Sequence, residues 1–306
     1  MFKKIIISLN RLSKIENLKN LIVVLTFFGL WLSTQLSPMI QDYTAYILIL
    51  TFGVLHGAND ITLISSFSTK KHSTRPLLLA YLGAVAMVSV LFLVSKGAAL
   101  VFFIAISAYH FGEQHLGKQV GESNVLIKAL FFTYGLVILF MIFVLQLDKV
   151  EKIIFDVSGW VVGKGYFMYT LIIGSGTLVA ISITLYVKGK LIMNPVKELF
   201  SFFVLGLVFA NSSLIWGFAI YFVFWHSMPS LKDQLDYLYG NASSATFKKY
   251  LKTSSIYWLI SIGGLFLLYW LLKDKIDFFI TAVLYVLAAI TFPHVLVMSK
   301  VEAIKK

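Results

Sequence analysis

Residues 44–67 read TAYILILTFGVLHGANDITLISSF, an apolar run with a single histidine, His56, in its latter half. A helix needs about 20 predominantly apolar residues to span the hydrocarbon core of a bilayer. An ionisable side chain at that depth is costly, and where one occurs it usually faces the interior of a helix bundle and serves a function. The run therefore predicts a membrane-spanning helix that carries a functional histidine.

The composition of the whole chain extends this prediction to a polytopic membrane protein. Of the 306 residues, 59% are hydrophobic and 13% are charged, and the mean hydropathy is +0.86. We expect an all-α transmembrane bundle of about 8 to 10 spans, forming a single integral membrane domain over residues 1–306. The predicted helices cover residues 21–38, 44–67, 76–95, 97–116, 124–147, 166–187, 195–210, 213–228, 254–272 and 277–298.

Polar residues mark an uncertain boundary between two predicted helices and the two longest connections of the chain. Only Asn211, Ser212 and Ser213 separate the seventh helix from the eighth, so the two runs could also form one long, broken helix. The longest polar connections, residues 148–165 and 229–253, are too short to fold with a core of their own. We therefore expect no soluble domain.

The chain has a net charge of +12, and its basic residues are distributed unequally between the two predicted sides of the membrane. With the N-terminus in the cytoplasm, twenty of the 26 Lys and Arg residues fall in cytoplasmic segments. This is the positive-inside bias, so the basic charge indicates orientation and contact with anionic lipid headgroups. The pattern predicts a multi-pass protein of the cell (inner or plasma) membrane with both termini cytoplasmic, and it argues against nucleic acid as a partner.

Four of the six histidines interrupt long apolar runs: His56, His110, His226 and His294. They fall in the second, fourth, eighth and tenth helices, all of which run from outside to inside, and each lies in the latter half of its helix. All four imidazoles should therefore lie at one depth in the cytoplasmic half of the membrane. Because the chain has no cysteine, a metal site would use nitrogen and oxygen ligands.

Carboxylates and small residues accompany two of these histidines. Asp60 follows His56 by four residues and is expected on the same helix face, where it could accept a ring N–H from a ligating histidine or from a neighbouring one. Glu113 follows His110 by one turn. Gly112 beside it is small enough to let a neighbouring helix approach closely.

The fourth histidine follows a proline. Pro293 lacks an amide hydrogen and its ring clashes with the preceding turn, so it should kink or end the regular helix before His294. Irregular backbone at membrane depth usually lines a cavity. A structural role is the alternative for each histidine: a ring hydrogen bond to a backbone carbonyl or a serine. His115 could simply mark a helix end, and His72, in a basic loop, is expected to be solvated.

Four segments of the chain resemble the Brp/Blh family of membrane β-carotene 15,15′-dioxygenases. They are Leu55–Asp60 (LHGAND), Tyr109–Glu113 (YHFGE), Trp225–Ser227 (WHS) and Phe292–His294 (FPH), in the family's order within residues 50–298. The resemblance implies a multi-span helical enzyme of retinal biosynthesis that holds non-haem Fe(II) by histidines. It implies that the central double bond of β-carotene is split with O₂ into two retinals, and that His56, His110 and His226 are iron ligands.

The chain departs from the family pattern at two positions. The family's further histidine, four residues after the one matching His226, is Ser230 here, and the acidic residue that typically follows the His-Phe-Gly motif is His115. The depth argument offers His294 as the replacement ligand and His115 as a second choice, and a three-histidine site is also chemically possible. The residues expected around the metal ligands are Asp60, Glu113, His115 and Ser230.

Other functions fit the same histidines. One is a diverged membrane non-haem iron oxygenase that acts on another polyene or lipid. Another is a non-enzymatic proton or ion transporter that uses the histidines and Asp60 as a relay, and a third is b-type haem held by paired histidines. The expected partners of the leading hypothesis are β-carotene or a related lipid-soluble polyene, O₂ and membrane lipid.

Overall fold

The structure is a computed structural model that describes residues 2–67, 74–121, 123–272 and 277–305. It is all-helical, with 87% helix and no strand among the described residues, which confirms the predicted all-α class. His72, predicted to be solvated, lies outside these residues. The elements are α1 (Phe2–Gln35), α2 (Pro38–Leu48), π1 (Ile49–Gly53), α3 (Val54–Gly57), α4 (Asp60–Ser66), α5 (Arg75–Val94), α6 (Lys96–Leu116), α7 (Val125–Leu145), α8 (Leu147–Ser158), α9 (Lys164–Val187), α10 (Pro195–Ala210), α11 (Leu214–Ile220), π2 (Tyr221–Ser227), α12 (Met228–Tyr239), α13 (Ser244–Leu272) and α14 (Asp277–Lys305).

Among the described residues, seven helices are long and apolar enough to cross a membrane by length and composition. They are Asn17–Gln35, Pro38–Ser66, Arg75–Val94, Val125–Leu145, Lys164–Val187, Leu214–Tyr239 and Leu284–Ile304. The other predicted spans fall on α6, α10 and α13, and α10, with 16 residues, is shorter than a helical span usually is. The total of eight to ten spans and the cytoplasmic termini stay predictions.

Two segments predicted to be polar connections fold as helices instead. Residues 148–165 contain most of α8, and residues 229–253 contain most of α12 and the start of α13. In α8 the buried side chains Val150, Ile154 and Val157 recur at helical spacing, so only one face of the helix is apolar. A search for continuous apolar runs does not detect such a helix, and the prediction was wrong here for that reason.

The uncertain division near residue 211 is resolved into two helices. Ser213 caps the start of α11, since its Oγ accepts a hydrogen bond from the backbone N–H of Trp216 at 3.1 Å. The backbone N–H of Ser213 itself donates to Oε1 of Gln41 at 2.8 Å. The backbone N–H groups of Ser213 and Trp216 thus both have partners at the break. The chain therefore forms two separate helices, α10 and α11, at this point.

Glycines bring α6 and α7 into direct backbone contact at the centre of the bundle. A Cβ placed on Gly112 would lie 1.8 Å from the carbonyl oxygen of Phe131, and one placed on Gly135 would lie 1.9 Å from that of Ala108. The close approach predicted at Gly112 is therefore confirmed. Because α6 carries His110, this contact helps to determine the position of that histidine.

We expect Gly135→Ala to lower the thermal unfolding temperature of the protein in detergent or nanodiscs. The added methyl group must displace backbone, and overpacking of this kind costs about 1–3 kcal/mol. Gly176→Ala in α9 is the matched control, because no atom lies within 4 Å of the point that its Cβ would occupy and alanine favours helix. Equal unfolding temperatures for the two variants would contradict the close packing of α6 and α7.

Candidate functional site

Four elements bring His56, His110, His226 and His294 together. His56 lies on α3, His110 on α6, His226 in π2 and His294 on α14, and none is more than 4% exposed. The ring centroid of His226 lies 5.1 Å from that of His56 and 4.7 Å from that of His110. The ring centroid of His294 lies 5.0 Å from that of His56 and 5.3 Å from that of His110. We call these four residues the histidine cluster.

The helix that carries His56 breaks directly after it. α3 ends at Gly57 and α4 begins at Asp60, so Ala58 and Asn59 form a turn at membrane depth. Such a turn leaves carbonyl groups without helical partners, and these must be satisfied inside the protein. The interruption places a turn between His56 and Asp60, so their spacing alone does not determine which histidine the carboxylate meets.

Two polar residues that the sequence analysis did not identify form hydrogen bonds with the carbonyl groups at this break. Gln234 on α12 donates from Nε2 to the carbonyl oxygen of His56 at 2.7 Å. The hydroxyl group of Tyr250 on α13 lies within hydrogen-bond distance of the carbonyl oxygens of Leu55 and His56, at 3.2 and 3.3 Å, and of Oε1 of Gln234 at 2.9 Å. A polar residue near the predicted membrane boundary is too common a signal to have singled them out.

His226 lies within a π-helical segment, π2. Pro229 follows shortly after and has no amide hydrogen to donate, so the regular α-helical pattern cannot pass through this point unchanged. π-Helical turns are rare and are frequent at functional sites. The second such turn, π1, packs against π2, and the ring of Phe222 lies 2.5 Å from where a Cβ on Gly53 would be.

His294 follows Pro293 within an unbroken helix. α14 runs from Asp277 to Lys305 with the proline inside it. Of the two alternatives predicted for this proline, a kink or an end of the regular helix, the end is excluded. Proline removes one helical hydrogen bond, and within a packed membrane bundle such a loss is tolerated.

Asp60 binds His294 rather than His56. Its Oδ1 lies 2.8 Å from Nδ1 of His294, and its Oδ2 accepts a hydrogen bond from the hydroxyl group of Tyr81 at 3.1 Å. The carboxylate is buried, at 1% exposure. A carboxylate on one ring nitrogen orients the imidazole and leaves the other nitrogen to face a ligand.

Five buried nitrogen atoms of the histidine cluster have no hydrogen-bond partner among the described residues. They are Nδ1 of His56, Nδ1 and Nε2 of His110, Nδ1 of His226 and Nε2 of His294. A buried polar group without a partner costs free energy, and each of these nitrogens therefore needs a bound ion, ligand or water as its partner. As the side chains are oriented, however, no three His, Asp or Glu residues within the described ranges converge on a point that could hold a metal ion.

Two of the other predicted site residues, Glu113 and His115, make their contacts outside the cluster. Glu113 accepts hydrogen bonds from Tyr109 at 3.0 Å and from Ser299 at 2.6 Å. Nε2 of His115 lies 2.9 Å from Oε2 of Glu198, and its ring stacks on another aromatic residue, Tyr134. Glu113 and His115 were both expected around the metal ligands, and His115 was also the second choice of ligand; the hydrogen bonds that they make here are to residues outside the cluster.

Ser230 lies one turn after His226, as predicted, and is fully buried. Its hydroxyl group has no hydrogen-bond partner among the described residues. Ser230 is therefore packed beside the element that carries His226 without forming a polar contact that would identify its role.

A cavity of about 280 Å³ opens onto the histidine cluster, and all four of its imidazoles contribute to the wall. We call it the first cavity. The rest of its lining is mainly aromatic and aliphatic and includes Phe103, Phe111, Phe218, Phe222, Ile260 and Leu265. Cavities with apolar walls and a few convergent polar groups are typical of small-molecule sites. This one suits an apolar molecule that reacts beside the imidazoles.

The comparisons with known proteins agree with the geometry of this site. Residues 47–302 match the protein family described as Beta-carotene 15,15'-dioxygenase, and this segment contains the whole histidine cluster. No curated protein and no solved structure matches the chain. The family match extends over most of the sequence and confirms the resemblance seen in the four histidine motifs. The chain belongs to the beta-carotene 15,15'-dioxygenase family.

Proposed function

We propose that the protein is a non-haem iron dioxygenase of the cell membrane that cleaves β-carotene with O₂ into retinal. One observation carries the proposal: four buried histidines, five of whose ring nitrogens lack partners among the described residues, line an apolar cavity in a chain of the carotene dioxygenase family. The unpartnered nitrogens and the apolar walls together favour this reading over a structural role for the histidines or a proton relay.

The residues of the cluster fit iron in their donor chemistry. His56, His110, His226 and His294 would hold the ion, since imidazole is a suitable ligand for iron. The terminal torsion of a histidine side chain is broad, so the orientation of each ring is adjustable. Iron bound there would supply the activation of O₂, which no side chain of the cavity provides.

Asp60 gives the cluster its negative charge. Four neutral imidazoles leave the positive charge of a metal ion uncompensated. The carboxylate of Asp60 lies behind His294, 2.8 Å from Nδ1, and Tyr81 holds its other oxygen. In this arrangement His294, rather than a residue at the position of Ser230, presents the fourth nitrogen atom to the cavity.

The cavity walls orient the polyene and exclude water. Aromatic side chains such as Phe111, Phe218 and Phe222 line the approach to the imidazoles and would hold the flat conjugated chain in register. In the overall reaction one carbon–carbon double bond breaks and one oxygen atom of O₂ goes to each new aldehyde, so no other oxidant or reductant is needed. No general base is required either.

We propose that the substrate enters from the lipid. A polyene such as β-carotene dissolves in the hydrocarbon core and is about as long as the roughly 30 Å core is thick. The histidine cluster is predicted to lie in the cytoplasmic half, so the middle of the molecule must tilt or shift to reach it. Entry between helices then requires no passage through water.

Replacement of cluster histidines should remove both iron and activity. We expect His56→Ala and His110→Ala to lose retinal formation in a β-carotene-producing host, and the purified variants to hold far less iron than the unsubstituted protein. His115→Gln is the matched control, because it keeps a hydrogen-bond donor for Glu198 outside the cluster. Retinal formation that survives in both alanine variants would rule out the iron site.

The carboxylate behind His294 should affect metal retention more than folding. We expect Asp60→Asn to weaken iron retention or activity by about 10- to 100-fold, as removal of such a partner usually does. Iron loss during titration with a chelator measures the effect. Tyr81→Phe, which removes only one hydrogen bond to Asp60, should have a smaller effect, and the reverse order would contradict the role given to the carboxylate.

Ser230→His tests which residue supplies the fourth nitrogen. If His294 supplies it, the set of four nitrogen ligands is complete without the added histidine, and we expect no increase in retinal formation or iron content. An increase in either quantity would mean that the site is incomplete and that His294 is not a ligand.

A further inference from the structure

A buried polar contact joins the segments that carry His110 and His226. Gln114 lies one turn after His110 on α6, and Asp233 on α12 lies seven residues after His226. Nε2 of Gln114 donates a hydrogen bond to Oδ2 of Asp233 at 3.0 Å. Lys118, two residues beyond the end of α6, donates from Nζ to both carboxylate oxygens at 2.5 and 2.6 Å. We call Gln114, Lys118 and Asp233 the polar link.

The polar link is largely shielded from solvent. Asp233 is 2% exposed and Gln114 is 8% exposed, while the side chain of Lys118 is 37% exposed. Replacement of a buried ion pair by apolar side chains of similar volume is often neutral or stabilising, so such a pair is weak evidence for stability. Its particular contribution is direction, because a hydrogen bond holds its atoms at a defined distance and angle, whereas the hydrophobic effect is non-directional.

The next residue of α12 makes a second directional contact with the site. Gln234 donates to the carbonyl oxygen of His56 at 2.7 Å, so two adjacent residues of one helix bind the segments of two cluster histidines. α12 also continues the chain directly from π2, which carries His226. The relative positions of three cluster histidines therefore depend on how α12 is held.

The rings next to the polar link are also the nearest to each other. The ring centroids of His110 and His226 lie 4.7 Å apart, which is less than the 5.0 to 5.3 Å between the other neighbouring rings of the cluster. Side chains of a binding site must be held within about 0.5 Å of their working positions, and a supporting shell of contacts does this. A link one to two turns away from both rings is placed to do so.

We propose that Asp233 is a positioning residue for the metal site: through Gln114 and Lys118 it holds α6 and α12 in the register at which the rings of His110 and His226 bind one ion. This inference rests on the proposed function, since the ion is the iron of the proposed dioxygenase. Asp233 acts through these two residues, because its carboxylate binds them and the described lining of the first cavity does not include it.

Binding of Co(II) to the full-length protein in nanodiscs tests the proposal. Co(II) accepts imidazole ligands, and its visible absorption bands depend on coordination geometry. His110→Ala identifies the part of the binding that occurs at the cluster. Asp233→Asn keeps the size of the side chain and removes the charge that binds Lys118. Asp236→Asn is the matched control, because it makes the same change three residues further along α12, where Asp236 pairs with Lys232 of the same helix at 2.8 Å.

We expect Asp233→Asn to bind Co(II) about tenfold more weakly than the unsubstituted protein, the lower end of the loss seen when partners outside the ligand set are removed. Its visible bands should shift, because the two rings no longer meet at the same distance. Asp236→Asn should match the unsubstituted protein in both quantities. Equal affinities and equal spectra for Asp233→Asn and Asp236→Asn would overturn the proposal.

A second variant separates positioning from folding. Gln114→Leu/Lys118→Met/Asp233→Leu replaces the three side chains of the polar link together, so that none of them is left buried without the others. We expect this metal-free variant to unfold at about the temperature of the unsubstituted protein and still to bind Co(II) about tenfold more weakly. Unchanged Co(II) affinity would mean that apolar packing alone positions the rings, and the proposal would be wrong. If Asp233→Asn does not fold, this variant decides.

Retinal formation separates a failure of this proposal from a failure of the proposed function. Co(II) binding that depends on His110 and Asp233, in a protein that forms no retinal when given iron, β-carotene and O₂, would contradict the proposed function alone. Retinal formation together with Co(II) binding that Asp233→Asn leaves unchanged would contradict the role of Asp233 alone. Absence of Co(II) binding by the unsubstituted protein would contradict both.

Discussion

The cost of burying four imidazoles away from water is the constraint on which the rest of the site depends. A buried polar group must be hydrogen-bonded or bound to a ligand, and this requirement is strict in a membrane interior. Asp60 forms a hydrogen bond with one ring nitrogen of His294 and so satisfies that nitrogen. Five other ring nitrogens of the cluster have no partner among the described residues. A metal ion is the ligand that would satisfy several of them together.

Irregular backbone surrounds the cluster and has its own polar requirements. The break after Gly57 and the π-helical segment at His226 both interrupt regular helical hydrogen bonding. Gln234 and Tyr250 satisfy the carbonyl groups freed by the break. These residues bind backbone rather than any ligand, yet without them the turn beside His56 would leave unsatisfied groups at membrane depth.

The first cavity relates the cluster to its family. It places apolar walls beside the imidazoles. An enzyme for a small soluble substrate would be expected to offer hydrogen-bonding groups at several points, since these determine orientation. Here the shape of the apolar space is left to determine orientation, which is appropriate for a hydrocarbon with no polar group of its own.

Much of this architecture could be predicted from the sequence. Continuous apolar runs predict helices because their side chains must be buried or face lipid, and the position of a histidine along its run gives its depth. The class of the fold, the grouping of His56, His110, His226 and His294, and the close packing at Gly112 followed from those signals. The family resemblance followed from the four motifs.

The tertiary structure decided which residues face one another. Depth along a helix does not give the rotation of that helix, which depends on contacts between distant segments such as Gly112 and Phe131. His115 was thus offered as a second choice of ligand, whereas the packed helices bring its ring to Glu198. In the same way the spacing left open whether Asp60 meets the ring of His56 or that of a neighbouring histidine, and the packed helices decide for His294.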